Sequence, residues 1–246
     1  MKIEKYKYLG NWRYKVYIEK EEYIIYEDII LKYNILSKEE ITKKDLDKYL
    51  ENNSFYDAYY KSVKYINIKL RCKKEIESYL LKSNYENKIV NEVIDKLKKD
   101  GYLSENVYIE SYINDQINLK NIGPFKIKND LINLGFNDEL IDKYLIVFKK
   151  EIEKDKIDKI INKEINLNKS KSKFILKQKI YNSLKEKGFS LELINEMINK
   201  IELNDKDIYD KEYNKLYEKL SKKYSGKELE YKIKQKMYQK GFRHNI

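Results

Sequence analysis

Apolar side chains recur at intervals of three and four residues along most of the chain, and the same series returns about every fifty residues. Ile76, Ile127, Ile180 and Ile233 mark one position of this series, with spacings of 51, 53 and 53 residues. Spacings of three and four place side chains on one face of an α-helix, so the pattern predicts an internal helical repeat. The matched positions expected to build the repeat are Ile76, Leu80 and Tyr85, then Ile127, Leu131, Gly135 and Phe136, then Ile180, Leu184, Gly188 and Phe189, and last Ile233, Met237, Gly241 and Phe242.

Each of these helices is followed by a residue suited to a left-handed backbone. Gly135, Gly188 and Gly241 hold this position in three copies, and Asn84 holds it in the first. Glycine adopts that conformation without a Cβ clash, and asparagine is the next-best residue. We therefore predict a helix, a tight turn and a second helix in each copy, with the aromatic residue after the turn folding back into the core.

A third helix is expected before this pair. In the second copy it runs from about Ser104, a suitable N-cap, to Leu119, with Tyr108, Tyr112 and Ile117 facing inward. Pro124 then begins the next helix, because proline fits the first helical position.

The predicted fold is mainly α-helical, with tandem three-helix repeats forming a curved solenoid behind a small N-terminal β-hairpin and helix region. The fourth copy is expected to be partial, because the sequence stops at Ile246 before a third helix. The predicted segments are residues 1–53 for the hairpin and helix region, 54–100, 101–151 and 152–203 for three complete repeats, and 204–246 for the partial fourth.

The first fifty residues have a different pattern. Segments 12–18 and 23–27 are rich in β-branched and aromatic residues and flank a polar turn, which predicts a hairpin, with 3–8 as a third strand. Short helices are expected at 28–33 and at 43–50, the second with Thr42 as its N-cap.

Charge narrows the range of partners. The 246 residues carry 52 basic and 41 acidic side chains, which gives a formal net charge of +11. Nearly all of the basic residues are lysine. A basic surface attracts polyanions such as nucleic acid. The N-terminus lacks the apolar run of a signal peptide, and the longest clean apolar run, 144–148, is too short to cross a bilayer. We expect a soluble cytoplasmic protein without a membrane partner and, as a working assumption, a monomer.

Candidate chemistry is sparse. His244 is the only histidine and Cys72 the only cysteine, which argues against a histidine-based triad, a metal cluster or a disulfide framework. Gly226 and Lys227 do not complete a phosphate loop, because Ser221 stands where the first glycine is required. We predict a protein that is not an enzyme, with no catalytic residues, no metal and no cofactor, although a nuclease site made only of carboxylates stays open.

Binding is therefore the expected activity. Basic residues gather near the start of the middle helix of several repeats, where free amides at a helix N-terminus could also meet phosphate or carboxylate. The alternative is that each lysine belongs to an ordinary solvated face. The candidates for partner or DNA binding are Lys69, Arg71, Lys73 and Lys74 in the first repeat, Lys126 and Lys128 in the second, and Lys173 and Lys177 in the third.

Two stretches, GYLSENVYIESYIND at 101–115 and GPFKIKNDLINLGF at 123–136, resemble the central part of the RecX family of bacterial RecA regulators. Upstream, LRCKKEIESYL at 70–80 is similar to another segment of the family, and residues 12–50 resemble the N-terminal extension of its longer Gram-positive members. The positions that carry the central resemblance are Gly101, Tyr102, Leu103, Glu105, Tyr108, Tyr112, Gly123, Pro124, Lys126, Ile127, Leu131 and Gly135.

The resemblance implies a modular helical-repeat protein without catalytic activity. Members of the family bind along the groove of the RecA–single-stranded DNA filament and inhibit its ATPase, strand-exchange and coprotease activities. The expected partners are thus the RecA filament and single-stranded DNA, bound directly or within that filament. Two alternatives stay open: a sequence-independent DNA-binding module, and a helical scaffold for an unrelated protein.

Overall fold

A computed structural model describes residues 1–243, which contain three β-strands and twelve α-helices. Two residues named above, the lone histidine His244 and Ile246 at the end of the partial fourth copy, lie outside the described residues. The mainly helical class with a small N-terminal antiparallel sheet is confirmed. The chain divides into two compact units, residues 1–108 and the residues from 109 onward, and each is described separately below.

The first unit begins with the three-stranded sheet. Strands β1 (Ile3–Gly10), β2 (Arg13–Ile18) and β3 (Glu21–Tyr26) pair antiparallel in the order β1-β2-β3, so the expected third strand is present. Val16, Ile18 and Ile25 are fully buried on the inner face of the sheet. A helix α1 (Glu27–Lys32) and a short 3-10 helix (Ile35–Ser37) follow.

The predicted short helix at 43–50 is wrong in its extent. Helix α2 (Lys43–Ile68) runs for 26 residues from a capping box in which Thr42 and Asp45 bond each other's backbone amides. The proposed division between residues 53 and 54 therefore falls inside a helix. No glycine or proline interrupts this stretch, and Asn53 is occupied in bridging to β3. Its side chain donates to the carbonyl of Ile24 and accepts from the amide of Tyr26, both at 2.8 Å.

The rest of the first unit is a helical cluster. Helices α3 (Lys73–Lys82) and α4 (Asn87–Lys99) enclose a core with the second half of α2. Ile76 and Leu80 are fully buried in that core, and Tyr85 packs against it. Asn84 has a φ of +63°, so it takes the left-handed conformation expected of it.

The second unit contains the remaining turns of the repeat. Gly135, Gly188 and Gly241 have φ values of +92°, +75° and +84°, as the sequence predicted. Ile127, Leu131, Ile180 and Leu184 are fully buried, while Phe136, Phe189, Ile233, Met237 and Phe242 are at most 8% exposed. The helices are α5 (Glu105–Leu119), which begins in the first unit, α6 (Pro124–Asn133), α7 (Asp138–Leu145), α8 (Lys150–Leu167), α9 (Lys173–Glu186), α10 (Leu191–Asn199), α11 (Lys206–Leu220) and α12 (Gly226–Gln239).

Helix α5 follows its prediction closely but uses different core residues. Its first turn bonds Ser104, and Tyr108 is buried as expected. The most buried side chains are Ile109 and Ile113, whereas Tyr112 is only partly buried. The five-segment division and the curvature of the stack stay predictions.

Candidate functional site

The start of α6, one of the candidate binding positions, is occupied by the next turn of the repeat. The amide of Gly123 donates to the carbonyl of Lys187 at 2.8 Å, and the amide of Phe125 donates to the carbonyl of Gly188 at 3.0 Å. A Cβ on Gly188 would overlap the backbone of Lys126, 2.8 Å from its Cα. The glycine therefore provides both the left-handed turn and the close approach.

The start of α9 is built in the same way. The hydroxyl of Ser172, the N-cap of α9, donates to the carbonyl of Lys240 at 2.8 Å. A Cβ on Gly241 would lie 2.6 Å from Cγ1 of Ile175. In both cases the glycine lies against the N-cap residue and the third residue of a middle helix. We call this contact the turn-to-cap contact: Gly188 on α6, and Gly241 on α9.

These contacts correct the expectation of free helix amides that could receive an anion. The first amides of α6 bond Lys187 and Gly188. In α9 the amide of Lys173 donates to the carboxylate of Asp205 at 2.8 Å, and that of Ile175 donates to the hydroxyl of Ser172. The first amides of a helix have no partner within the helix, and here other groups of the protein accept their hydrogen bonds.

At the start of α3 the basic candidate Arg71 is held by its neighbours. Its guanidinium bonds Glu75 at 3.1 Å and lies 3.9 Å from the ring centroid of Tyr65. Glu75 also accepts from the amide of Cys72 and from the hydroxyl of Tyr108. Burial alone would raise the pKa of Glu75, but these hydrogen bonds outweigh it and lower the pKa. Arg71 therefore stabilises the start of α3.

Three further candidates are paired with carboxylates. Lys73 lies 3.4 Å from Glu77, and Lys126 lies 2.7 Å from Asp130, both one helical turn away.

Lys128 lies between two carboxylates of α7, Asp138 and Asp142, each at 2.7 Å. The hydrogen bonds that its ammonium group donates to these two carboxylates raise the pKa of Lys128. The lysine thus joins α6 to α7, and its charge is compensated by the protein.

The two candidates on α9 differ from the others. Lys173 and Lys177 are partly buried, and within residues 1–243 neither has a carboxylate within ion-pairing distance. Burial lowers the pKa of Lys177, and the positive charge of Lys173 lowers it further. Of the remaining candidates, Lys69 and Lys74 are exposed in the first unit.

One basic residue beside α9 was not among the candidates. The guanidinium carbon of Arg243 lies 3.5 Å from the ring centroid of Phe174 and 5.3 Å from that of Tyr238. Phe174 is the second residue of α9, between the two lysines. The available sequence signal was that Arg243 is one of only three arginines and follows the last Gly-Phe turn.

Two buried charges have structural roles. The ammonium of Lys156 donates to the carbonyl of Ile117, near the end of α5, at 2.6 Å. The carboxylate of Glu153 accepts from the amide of Ser190 at 2.6 Å. Both residues are 6% exposed and connect α8 to neighbouring elements of the second unit.

Residues 1–243 contain no group of three or more histidine, cysteine, aspartate or glutamate side chains arranged to hold a metal ion. None of the helices in this part of the chain has the length and apolar character needed to span a bilayer.

Comparisons with known proteins agree with one another. A family model described as "RecX, first three-helix domain" matches residues 58–97. The Regulatory protein RecX of Bacillus cytotoxicus is 31% identical over 205 residues, which cover 81% of this chain and 76% of that protein. The Regulatory protein RecX of Finegoldia magna is 35% identical over 179 residues, covering 70% of this chain and 87% of that protein.

Solved structures share the fold. The structure described as "Crystal structure of regulatory protein RecX" matches 81% of this chain and 99% of its own, with a TM-score of 0.68 and 22% identity. RecX from Lactobacillus salivarius matches 60% of this chain and 96% of its own, with a TM-score of 0.53 and 27% identity.

Proposed function

The chain belongs to the RecX family of regulatory proteins, and we propose that it regulates the RecA recombinase. It binds along the groove of the RecA–single-stranded DNA filament and inhibits ATP hydrolysis, strand exchange and coprotease activity. It does so by binding, without a catalytic step or a cofactor, in the cytoplasm. The observation that carries the proposal is the 31% identity to a RecX regulatory protein over 205 residues.

The second unit offers a physical basis for binding a filament. Its successive middle helices are joined by the turn-to-cap contacts of Gly188 and Gly241, so the repeats are held in fixed relation to their neighbours. Repeated modules held in this way can each make a modest contact with a repeating partner. Contacts on one rigid support add by effective concentration, so weak individual contacts suffice for tight binding.

The direct test is a titration of the protein into RecA from the same organism on single-stranded DNA, with ATP hydrolysis as the readout. We expect hydrolysis to fall at protein concentrations below those that saturate the free DNA. Leu131→Ala, which weakens the core of the second repeat, is the control for dependence on the fold. Unchanged hydrolysis at low salt would overturn the proposal.

The net charge of +11 favours a second candidate, sequence-independent DNA binding. In that case DNA affinity falls steeply with salt and the protein has no effect on RecA beyond competition for DNA. An excess of DNA would then relieve the inhibition completely. A scaffold for another protein would instead bind neither RecA nor DNA in a pull-down.

A further inference from the structure

The surface around α9 gathers positive charge that the protein does not compensate. Lys173 and Lys177 are one turn apart on the same helix, about 6 Å along its axis. Within the described residues they have no ion pair, and neither does Arg243. The carboxylate of Asp205 bonds the backbone amide of Lys173 and not its ammonium group.

The pair differs from lysines that lie beside carboxylates, such as Lys126 beside Asp130 and Lys179 beside Glu164. Like charges one helical turn apart repel each other, and partial burial adds to the cost of keeping both charged. The lowered pKa of Lys177 reports that cost. A part-buried charge that lacks a partner within the protein is a candidate for contact with a ligand of opposite charge.

An aromatic platform lies among these charges. The guanidinium of Arg243 lies over the ring of Phe174 and near the ring of Tyr238, a residue that is 53% exposed. A guanidinium plane and an exposed phenol ring are surfaces on which an unpaired base can stack. Bases inside a duplex are already stacked on each other, so this combination favours a single strand.

We propose that Lys173, Lys177 and Arg243, with the rings of Phe174 and Tyr238, form a binding surface for single-stranded nucleic acid. The two ammonium groups and the N–H edge of the guanidinium contact phosphates, while the guanidinium plane and the Tyr238 ring stack on bases. The turn-to-cap contact of Gly241 builds the surface, because it brings the residues after α12 onto the start of α9. The inference deepens the proposed function and rests on it only for the biological role, since its test uses nucleic acid alone.

The test measures fluorescence anisotropy of a labelled oligothymidylate with the full chain, over a series of salt concentrations and without RecA. The variant combines Lys173→Gln, Lys177→Gln and Arg243→Gln. Each phosphate contact on a single strand contributes about 0.7 to the slope of log affinity against log salt. We therefore expect the slope to fall by about 2, and affinity at low salt to fall on the order of tenfold or more.

The matched control removes the same charge from exposed lysines that have no ion pair within residues 1–243, by Lys98→Gln, Lys143→Gln and Lys163→Gln. It should bind more tightly than the first variant and keep a steeper slope. Circular dichroism melting of both proteins separates lost binding from lost folding. Equal affinity of the two triple variants overturns the proposal, as does a wild-type protein that does not bind the oligonucleotide.

A second variant tests stacking separately from charge. Tyr238→Leu keeps the net charge and an apolar side chain but removes the ring. Stacking of one base is worth a factor of about five or more, so affinity should fall by that factor with the salt slope unchanged. A duplex bound as tightly as the single strand would overturn the preference for unpaired bases.

The RecA titration distinguishes the two proposals. If the wild-type protein binds the oligonucleotide through this surface but leaves RecA unaffected, the proposed function fails and the binding surface stands. If the first triple variant binds DNA normally but loses inhibition of RecA, the surface contacts protein, and the nucleic-acid assignment is wrong.

Discussion

Helices α6 and α9 begin in the same way but differ in how their lysines are used. Both receive a glycine turn against the N-cap, and both have phenylalanine as the second residue, Phe125 and Phe174. On α6 the lysines are paired within the protein, most fully at Lys128 with its two carboxylates. On α9, Lys179 is paired with Glu164, but Lys173 and Lys177 have no such partner within the described residues. The difference shows that charge available for binding depends on the carboxylates nearby and not on the number of lysines.

The largest expected loss of stability comes from the buried core position that α6 and α9 share. Leu131→Ala on α6 and Leu184→Ala on α9 each remove a fully buried side chain from the same repeat position. We expect each to lower the free energy of unfolding by roughly 2–5 kcal/mol, through lost transfer energy and the cavity that remains. Urea denaturation of each variant and of the wild type measures this change in the free energy of unfolding. A melting transition equal to that of the wild type would show that the position is not part of a core.

The next effect tests the turn-to-cap contact by comparing two glycines of similar φ. Gly188→Ala places a Cβ against the backbone of Lys126, whereas Gly135→Ala has nothing within 4 Å of its Cβ. Gly135→Ala should lower the free energy of unfolding by about 1–2 kcal/mol, from the left-handed backbone alone. Gly188→Ala should add about 1–3 kcal/mol of overpacking to the same strain.

The same denaturation experiment serves both glycine variants. Equal losses would mean that the close approach at Gly188 relaxes without penalty. That outcome would remove the turn-to-cap contact as a source of stability, while leaving the φ values untouched.

The smallest expected effect is the pH dependence of the contributions of Lys128 and Lys177 to stability. The pKa of Lys128 is raised, so its favourable contribution is present at neutral pH and is lost as pH rises through that pKa, above the ordinary 10.5. The pKa of Lys177 is lowered, so its charge opposes folding, and that penalty disappears as pH rises from the lowered pKa to 10.5.

Urea unfolding of Lys128→Gln and Lys177→Gln, at pH 7 and at a series of alkaline pH values, should therefore give opposite signs. Lys128→Gln destabilises at neutral pH, by less than Gly135→Ala. Lys177→Gln is neutral or slightly stabilising at neutral pH, and its advantage shrinks with rising pH. The same sign for both variants would contradict the distinction between paired and unpaired lysines.

The sequence could predict what depends on local spacing. The buried register of Ile127 and Ile180 and the left-handed turns follow from intervals of three and four and from glycine. The pairing of Lys126 with Asp130 is also visible as one helical turn. The helix predicted at 43–50 is shorter than α2, because the sequence alone does not show that Asn53 bonds β3 while remaining helical.

Contacts between distant residues could not be predicted in this way. Gly188 meets the residues after Gly123, and Gly241 meets Ser172, across separations for which no local pattern exists. The pairing of Lys128 with α7 crosses a turn, and Arg243 reaches Phe174 only because the last turn docks on α9. The predicted set of binding residues therefore differs from the structure more than the predicted fold does, because the pairing of these lysines depends on contacts between distant residues.

The turn-to-cap contact also determines how damage would spread through the second unit. The carbonyl of Lys240 is the acceptor for the N-cap of α9, and those of Lys187 and Gly188 serve the first amides of α6. If a proteolytic cut in the linker between α11 and α12 released α12, the hydroxyl of Ser172 at the start of α9 would lose its acceptor, one repeat away from the cut. Fraying would advance inward by whole modules, and hydrogen exchange should record it as steps and not as a gradient.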